Sequence, residues 1–271
     1  MNFVWRNDSL LHPNVKLCTT ENMFTFEIDD FSSPFLLHTF SGHMIKRPDI
    51  QASLISYDVH AYSDGLFTQL SIPFSETLKS AVPKRRAEFL TGRYAAGKLL
   101  NQQGCNYPVA IGQDRAPVWP EGWHGSISHT EEWAVAVLAP SRLGISLGVD
   151  IESLRPQMIS EIATTFTSEG ERAFLAACGM EYETALLIAF SAKESLFKAL
   201  YPQVRHFFGF EAARICELEQ HENRFTLELT SALAPGLCAG YRVMGQYSIG
   251  AFGVITLVVT SDNPGKELLS S

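Results

Sequence analysis

The strictest alternation of apolar and polar residues along the chain runs over residues 143–152. Apolar side chains occupy every second position as far as Ile151, and the polar positions between them end in Asp150 and Glu152. A period of two predicts a β-strand with one face in the core. Two carboxylates at this spacing lie side by side and repel each other, so they indicate either a strand end that faces water or a cation site. Oxygen ligands of this kind suit Mg2+.

Apolar residues at helical spacing predict two long helices, over residues 83–102 and 183–200, with Pro202 ending the second. The second helix is apolar on two sides, which is typical of a buried helix. Glu194 lies in the middle of it, and Lys198 follows one turn later. Because a buried charge is strongly unfavourable unless it is paired, metal-bound or protonated, Glu194 is expected to have a partner.

Shorter patterns predict the remaining secondary structure. Apolar runs separated by turn residues predict two strands within residues 53–72, and a further apolar run predicts one over residues 133–139. Ser168 and Glu171 have the spacing of a helix-capping box. Four more strands are predicted at residues 212–218, 224–230, 240–246 and 249–259. No period dominates residues 1–50, so they receive no assignment.

The helix predicted over residues 83–102 carries basic residues on the face expected to point outwards. These residues are Lys84, Arg85, Arg86, Arg93 and Lys98. Such a run is either a solvated surface or an anion site, because the planar guanidinium group suits phosphate oxygens. His129 lies between the hydroxyl residues Ser128 and Thr130, in a loop expected before the strand that starts at residue 133. A lone histidine is usually structural or exposed, but this one could hold a phosphate.

Composition limits the classes of protein that these elements can form. With 46% hydrophobic and 18% charged residues, the chain has the composition of a soluble globular protein. Its formal net charge of -8 disfavours a general nucleic-acid binder. The longest apolar run, residues 249–259, is shorter than the ~20 residues that span a bilayer, and the sequence opens with no signal-peptide core. We therefore expect a cytoplasmic protein without a transmembrane segment.

Two motifs follow one another in the second half of the chain. Gly-Val-Asp-Ile-Glu at residues 148–152 precedes Phe-Ser-Ala-Lys-Glu-Ser-Leu-Phe-Lys at residues 190–198. Together they resemble the paired signature of the 4'-phosphopantetheinyl transferases, of the larger monomeric type. Residues 86–93 and 119–129 are similar to the enterobactin synthetase component D branch of that family. The resemblance covers residues 53–200 and, more loosely, the chain as far as residue 259.

The resemblance implies an α+β fold of two similar halves related by a pseudo-twofold axis, with coenzyme A and Mg2+ between them. The halves would be residues 1–142 and 143–271, the second carrying the metal site. The implied reaction transfers the 4'-phosphopantetheine arm of coenzyme A to a serine of an apo carrier protein and releases adenosine 3',5'-bisphosphate. A peptidyl or aryl carrier of a siderophore synthetase is the leading expectation, and an acyl carrier of fatty-acid or polyketide synthesis is the alternative. The enzyme would be a monomer, free in the cytoplasm or associated with a synthetase. Because such carriers tend to be acidic, contact would rely on apolar residues and a local basic patch.

The resemblance also implies roles for individual residues. Asp150, Glu152 and Glu194 would be the Mg2+ ligands, directly or through water. Glu194, held next to the metal, would also be the favoured acceptor of the serine proton, directly or through a bound water. Lys198 would stabilise the charge that develops on the pyrophosphate. The residues implied in coenzyme A binding are Ser128, His129 and Lys198 at its phosphates, and Arg86, Arg93 and Arg115 towards the nucleotide end.

Two other functions are compatible with these residues. A Mg2+-dependent phosphohydrolase or nuclease also needs strand carboxylates and a nearby lysine, and it would hydrolyse a phosphate ester without any carrier protein. A module that binds coenzyme A or a nucleotide without catalysis would transfer nothing. Product analysis with and without a carrier distinguishes the three functions.

Overall fold

The computed structural model of the protein describes residues 23–112 and 115–262. The strands in these ranges are β1 (Phe24–Ile28), β2 (Leu36–Met44), β3 (Arg47–Tyr57), β4 (Ala110–Ile111), β5 (Pro117–Val118), β6 (Trp123–His129), β7 (Trp133–Pro140), β8 (Ile145–Glu152), β9 (Ala213–Glu219), β10 (Arg224–Leu229), β11 (Arg242–Gly250) and β12 (Gly253–Ser261). The α-helices are α1 (Gly65–Gln69), α2 (Pro83–Gln102), α3 (Pro156–Phe166), α4 (Glu169–Ala177) and α5 (Tyr182–Val204). Within the same ranges, no helix is both long enough and apolar enough to cross a bilayer.

Ten of the described strands form two five-stranded antiparallel sheets, one in each half of the chain, and β4 and β5 pair separately in a two-stranded sheet. The first has the order β1-β2-β3-β7-β6 and the second has the order β8-β12-β11-β10-β9. A short 3-10 turn at Ser141–Leu143 connects them. One long helix accompanies each sheet, α2 in the first half and α5 in the second. The α+β class is therefore confirmed, and the arrangement is consistent with two similar halves; the division between residues 142 and 143 stays a prediction.

The hydrophobic core has three parts. One lies between the inner faces of the two sheets, and each of the other two lies between the outer face of a sheet and its long helix. Leu90 of α2 belongs to a cluster with Ala136 on the outer face of the first sheet. Val135 and Val149 belong to a second cluster, which fills the space between the two sheets. A third cluster joins α5 to the outer face of the second sheet. Because β7 contributes to clusters on both of its faces, its residues form a continuous apolar run instead of an alternation.

The two sheets meet at their edge strands β6 and β8, which lie side by side. The backbone N–H of Val149 donates a hydrogen bond to Ser126 Oγ at 3.0 Å, and His124 Nδ1 donates to a β8 carbonyl oxygen at 2.8 Å. Helix α5 approaches this junction closely at Gly148, where a Cβ atom would lie 1.8 Å from Ser195 O. Only glycine allows that approach without a shift of the helix.

Several predicted elements are confirmed, namely α2 at both of its ends, β7, and the strand that carries Asp150. The predicted second strand within residues 53–72 is wrong, because Leu66, Phe67 and Leu70 have the spacing of a helical turn and α1 buries Phe67. Residues 1–50, which received no assignment, contribute β1, β2 and the start of β3 in their described part.

Two predicted element ends are also wrong. Pro202 lies inside α5, because the final helical turn still closes through a hydrogen bond from Arg205 N to Tyr201 O at 2.9 Å. The break predicted between residues 246 and 249 lies within β11. The chain reverses instead just before Gly253, whose φ of 98° few other residues adopt.

Candidate active site

Three predicted site residues meet where β6, β8 and α5 come together. Lys198 Nζ lies 2.7 Å from Asp150 Oδ1, and it donates further hydrogen bonds to Ser128 Oγ at 2.9 Å and Val149 O at 3.0 Å. Ser128 Oγ donates to the same Asp150 oxygen at 2.7 Å. Since β6 belongs to the first sheet, whereas β8 and α5 belong to the second half, the cluster is assembled from both halves of the chain.

Asp150 is the centre of a group of three carboxylates. Its Oδ2 is buried and has no hydrogen-bond partner among the described residues. Burial, followed by the charge of Asp150, raises the pKa of Glu152 to about 8. Burial, followed by the charge of Asp150, also raises the pKa of Glu194. Across residues 23–112 and 115–262, however, no three His, Cys, Asp or Glu side chains are already arranged to hold a metal ion. The carboxylates of Asp150, Glu152 and Glu194 therefore lie near one another, but they are not arranged as a set of metal ligands.

His129 ends β6 next to Ser128, because the ladder to β7 continues that far, so the loop predicted for these two residues is wrong. Arg85 Nη1 donates a hydrogen bond to His129 Nε2 at 2.7 Å. The ring proton is therefore on Nδ1, which lies 3.8 Å from Glu88 Oε2. Burial lowers the pKa of His129 to about 4, and the charges of Arg85 and Lys198 act in the same direction. The imidazole is neutral at pH 7.

A cavity of about 560 Å3 lies on the α2 side of His129 and is lined by Arg85, Arg93 and Arg115. The prediction that Arg93 points outwards is wrong: it is 8% exposed, and its guanidinium carbon lies 4.8 Å from the centre of the Phe89 ring. The chain near Ala110 covers it, since Arg93 Nη2 donates to Ala110 O at 3.3 Å. In the described part of the chain Arg93 Nε has no partner. Burial, and then the charge of Arg85, lowers the pKa of Arg93 to about 10.

The structure does not bring Arg86 to this cavity. Its guanidinium donates to Asp64 Oδ2 at 2.7 Å and to three backbone carbonyl oxygens, those of Leu78, Lys79 and Ala81. The group thus holds the segment before α2 in place. Arg85, its neighbour in sequence, contacts His129 instead.

A second cavity, of about 610 Å3, lies between the two halves and shares Arg115 with the first. Lys198 and Arg205 add positive charge to its wall, and the described residues that line it include no carboxylate. Phe197 and the 80% exposed Phe207 supply aromatic surface. The two cavities share Arg115, and Lys198 belongs both to the second cavity and to the Asp150 cluster. Basic side chains therefore line both cavities beside the cluster, which suits a large anionic ligand with an aromatic part.

Comparison with known proteins identifies the chain. Residues 74–139 match the 4'-phosphopantetheinyl transferase N-terminal domain, and residues 146–249 match the 4'-phosphopantetheinyl transferase superfamily. The chain is 36% identical over 220 residues to enterobactin synthase component D of Salmonella typhi, a match that covers 81% of this chain and 87% of that protein. The chain belongs to the 4'-phosphopantetheinyl transferase superfamily.

Other relatives agree with this assignment. The transferase is 33% identical over 228 residues to the 4'-phosphopantetheinyl transferase Svp of Streptomyces mobaraensis, covering 80% of the transferase and 91% of Svp. It is 41% identical over 131 residues to enterobactin synthase component D of Escherichia coli (strain K12), covering 48% and 62% of the two chains. The transferase moves phosphopantetheine from coenzyme A to apo carrier proteins, and the phosphohydrolase and non-catalytic alternatives are not favoured.

The transferase also contains a buried ion pair that sequence reasoning missed. Lys193 Nζ lies 2.7 Å from Glu171 Oε2, and the two side chains are 3% and 1% exposed. Ser168 caps α4 as predicted, accepting a hydrogen bond from Glu171 N at 3.2 Å, but the Glu171 side chain turns into the core instead of completing the box. The sequence did contain a signal for this ion pair, because Lys193 interrupts a line of apolar residues along α5. That line consists of Leu186, Ala189, Leu196 and Leu200.

Proposed function

We propose that the transferase modifies a peptidyl or aryl carrier of a siderophore synthetase, and that it does so with a Mg2+ ion held by Asp150, Glu152 and Glu194. The observation that carries this proposal is the Asp150 cluster. It places a lysine, a serine and three neighbouring carboxylates at the junction of the two halves, beside two basic cavities. The siderophore carrier is supported by the relatives named enterobactin synthase component D.

The donor set fits a hard divalent cation. All three side chains offer only oxygen, and Asp150 Oδ2 is buried without a partner in the described ranges, which is unfavourable unless something else binds there. Lys198 at present neutralises the other Asp150 oxygen. The two glutamate side chains would have to turn towards Asp150 to complete the ligand set. When bound, Mg2+ supplies positive charge to the pyrophosphate of coenzyme A.

Different basic residues are assigned to different parts of coenzyme A. Lys198 stands beside the proposed metal site, where an ammonium group stabilises charge on the pyrophosphate oxygens. His129 and Ser128 face the same phosphates from β6. Arg85 and Arg93 are assigned to the nucleotide phosphate, because both line one cavity. Among the described residues, the one carboxylate within ion-pairing distance of either guanidinium is that of Glu88, which lies 3.3 Å from Arg85.

Arg115 is assigned to the nucleotide end as well, since it lines both cavities. Arg86, which the resemblance implied, is replaced in this proposal by Arg85. Glu194 is half-buried on α5, one turn before Lys198, and it is the favoured acceptor of the serine proton, directly or through a water molecule.

The carrier is proposed to dock beside Glu152, at the start of α3. A hollow of about 300 Å3 there is lined by Glu152, Arg155, Met158 and Phe190. Met158 is 55% exposed, and Leu154 beside it is 48% exposed. These exposed apolar side chains match the apolar contact expected for a carrier. Glu88 and Glu131 also line the hollow, and Arg155 pairs with Glu131 at 2.8 Å, so Arg155 would have to leave Glu131 to meet an acidic group of the carrier.

The test is a mass measurement on the carrier. Purified transferase, Mg2+ and coenzyme A are incubated with an apo siderophore-synthetase carrier or an apo fatty-acid carrier. The siderophore carrier should gain the mass of one phosphopantetheine, at a higher rate than the fatty-acid carrier. Chelation by EDTA, Asp150→Asn and Glu194→Gln should each abolish the gain. An unchanged mass with every carrier would overturn the activity, whereas normal turnover by Asp150→Asn would overturn the metal site alone.

The same proposal includes a monomer in the cytoplasm, either free or associated with a synthetase. Light scattering should then give the 30.1 kDa of one chain. A larger mass at micromolar concentration would contradict the monomer, and recovery of the protein with the membrane fraction would contradict the location.

A further inference from the structure

Three buried hydroxyl groups join α5 to β12 beside the active site. Thr256 Oγ1 lies 2.9 Å from Ser191 Oγ and 2.7 Å from Ser195 Oγ, and Ser195 Oγ also donates to Thr256 O at 3.1 Å. All three residues are 0% exposed. They form a small polar network where the rest of the contact between α5 and the second sheet is mainly apolar.

This network is in register with the active site. Thr256 on β12 pairs directly with Asp150 on β8, so the two side chains project from the same face of the sheet towards α5. Ser191 and Ser195 are four residues apart on α5. Lys198 lies on the same stripe, seven residues after Ser191, because 3.6 residues complete each turn.

We propose that Thr256 is a positioning residue, which fixes the place of α5 along the sheet and so sets where Glu194 and Lys198 stand relative to Asp150. Apolar contacts alone do not define this position sharply, since they are non-directional. A hydrogen bond is lost when the donor and acceptor move apart by less than one ångström, and a shift of that size in a catalytic group can reduce turnover about 100-fold. This inference rests on the proposed roles of Asp150, Glu194 and Lys198.

The protein provides a matched pair of variants. Thr256→Val keeps the side-chain shape and removes the hydroxyl, and Thr256→Ser keeps the hydroxyl. Thr260→Val is the control, because Thr260 lies on the same face of β12, is 7% exposed, and its hydroxyl has no partner within the described ranges. The double variant Ser191→Ala/Thr256→Val removes both members of one hydrogen bond, so it leaves no unpaired Ser191 hydroxyl and should unfold at nearly the wild-type temperature.

Three quantities are measured for each variant: carrier modification, binding of Mg2+ alone by calorimetry, and binding of coenzyme A in EDTA. Thr256→Val and the double variant should lower kcat about 10-fold or more and weaken both binding steps, whereas Thr256→Ser and Thr260→Val should stay within about 2-fold of wild type. Wild-type values for the double variant, or equal losses in Thr260→Val, would overturn the inference.

The proposed function and the inference about Thr256 can be refuted independently of each other. If wild-type protein modifies no carrier or binds no Mg2+, the proposed roles of Asp150 and Glu194 are wrong. Coenzyme A binding in EDTA still decides the inference, because it depends on the position of Lys198 and not on a metal ion. An unchanged affinity in Thr256→Val would then overturn it, and a loss that Thr256→Ser restores would support it.

Discussion

Replacing Glu171 by glutamine is expected to destabilise the transferase more than any exposed charge change does. Lys193 Nζ donates to Glu171 Oε2 at 2.7 Å, to Phe166 O at 2.7 Å and to Phe210 O at 3.3 Å, and Glu171 Oε1 accepts from Ile215 N at 2.7 Å. The pair thus ties α3, α4, α5 and β9 together. Glutamine keeps the shape of the side chain but leaves the lysine charge buried and uncompensated.

The size of the effect follows from this burial. Removing one member of a buried, fully hydrogen-bonded pair costs about 3–5 kcal/mol. For a chain of this size that corresponds to a drop in Tm of roughly 6–20 °C, at ~2–4 °C per kcal/mol. Glu219→Gln is the control, because Glu219 pairs with Arg224 at 2.7 Å but the side chains are 42% and 34% exposed. Such exposed pairs contribute about 0–1 kcal/mol.

Urea unfolding followed by circular dichroism measures both variants. The double variant Glu171→Gln/Lys193→Met should lose less stability than the sum of the two single changes, because the second replacement removes the uncompensated charge. If Glu171→Gln lost no more than Glu219→Gln, or if the single losses were simply additive, the buried pair would not stabilise the fold in the way argued.

Three further predictions concern the site. Gly148→Ala should lower the free energy of unfolding by about 1–3 kcal/mol and slow transfer, because the new Cβ would lie 1.8 Å from a carbonyl oxygen of α5. Urea unfolding measures the loss, with Gly170→Ala as the control, because a Cβ there would meet nothing within 4 Å. Equal losses in the two variants would contradict the argument. Arg85→Gln should weaken coenzyme A binding about 10-fold or more, whereas Arg86→Gln should lower the unfolding temperature and leave the affinity unchanged. Calorimetry and thermal unfolding separate the two, and the opposite pattern would put Arg86 in the site. Lys198→Met should lower kcat about 100-fold or more in the carrier assay, with the native circular dichroism spectrum retained; near-normal turnover would remove this lysine from the mechanism.

Sequence patterns predicted most of the second half because its elements are regular. The strand that ends in Asp150 alternates strictly, and α5 keeps helical spacing throughout. Strand β2 could not be predicted, because its pairing with β3 shifts register near Leu36 and again near Met44, and these irregularities break the alternation. Residues 66–70 were assigned to a strand because a single helical turn is too short to show a period.

The metal-ligand candidates could be predicted because the motifs fix them by position. The choice between Arg85 and Arg86 could not, since adjacent residues on a helix point about 100° apart and the rotation of α2 on its sheet decides which one reaches His129. The burial of Arg93 also depends on a distant segment, the chain near Ala110 that covers it. Such contacts between remote parts of the chain leave no local pattern.

The side-by-side contact of β6 and β8 has a consequence for any attempt to divide the enzyme. On the edge of β8 that faces away from β12, Val149 donates its N–H to Ser126 and offers its carbonyl oxygen to Lys198. In the described part of the chain this edge is therefore bonded by side chains and not by a further strand. If the chain were cut between the sheets and the halves expressed separately, each would present an open strand edge that can pair with other copies. We expect the isolated halves to aggregate, and the two to recover activity only when they are produced together.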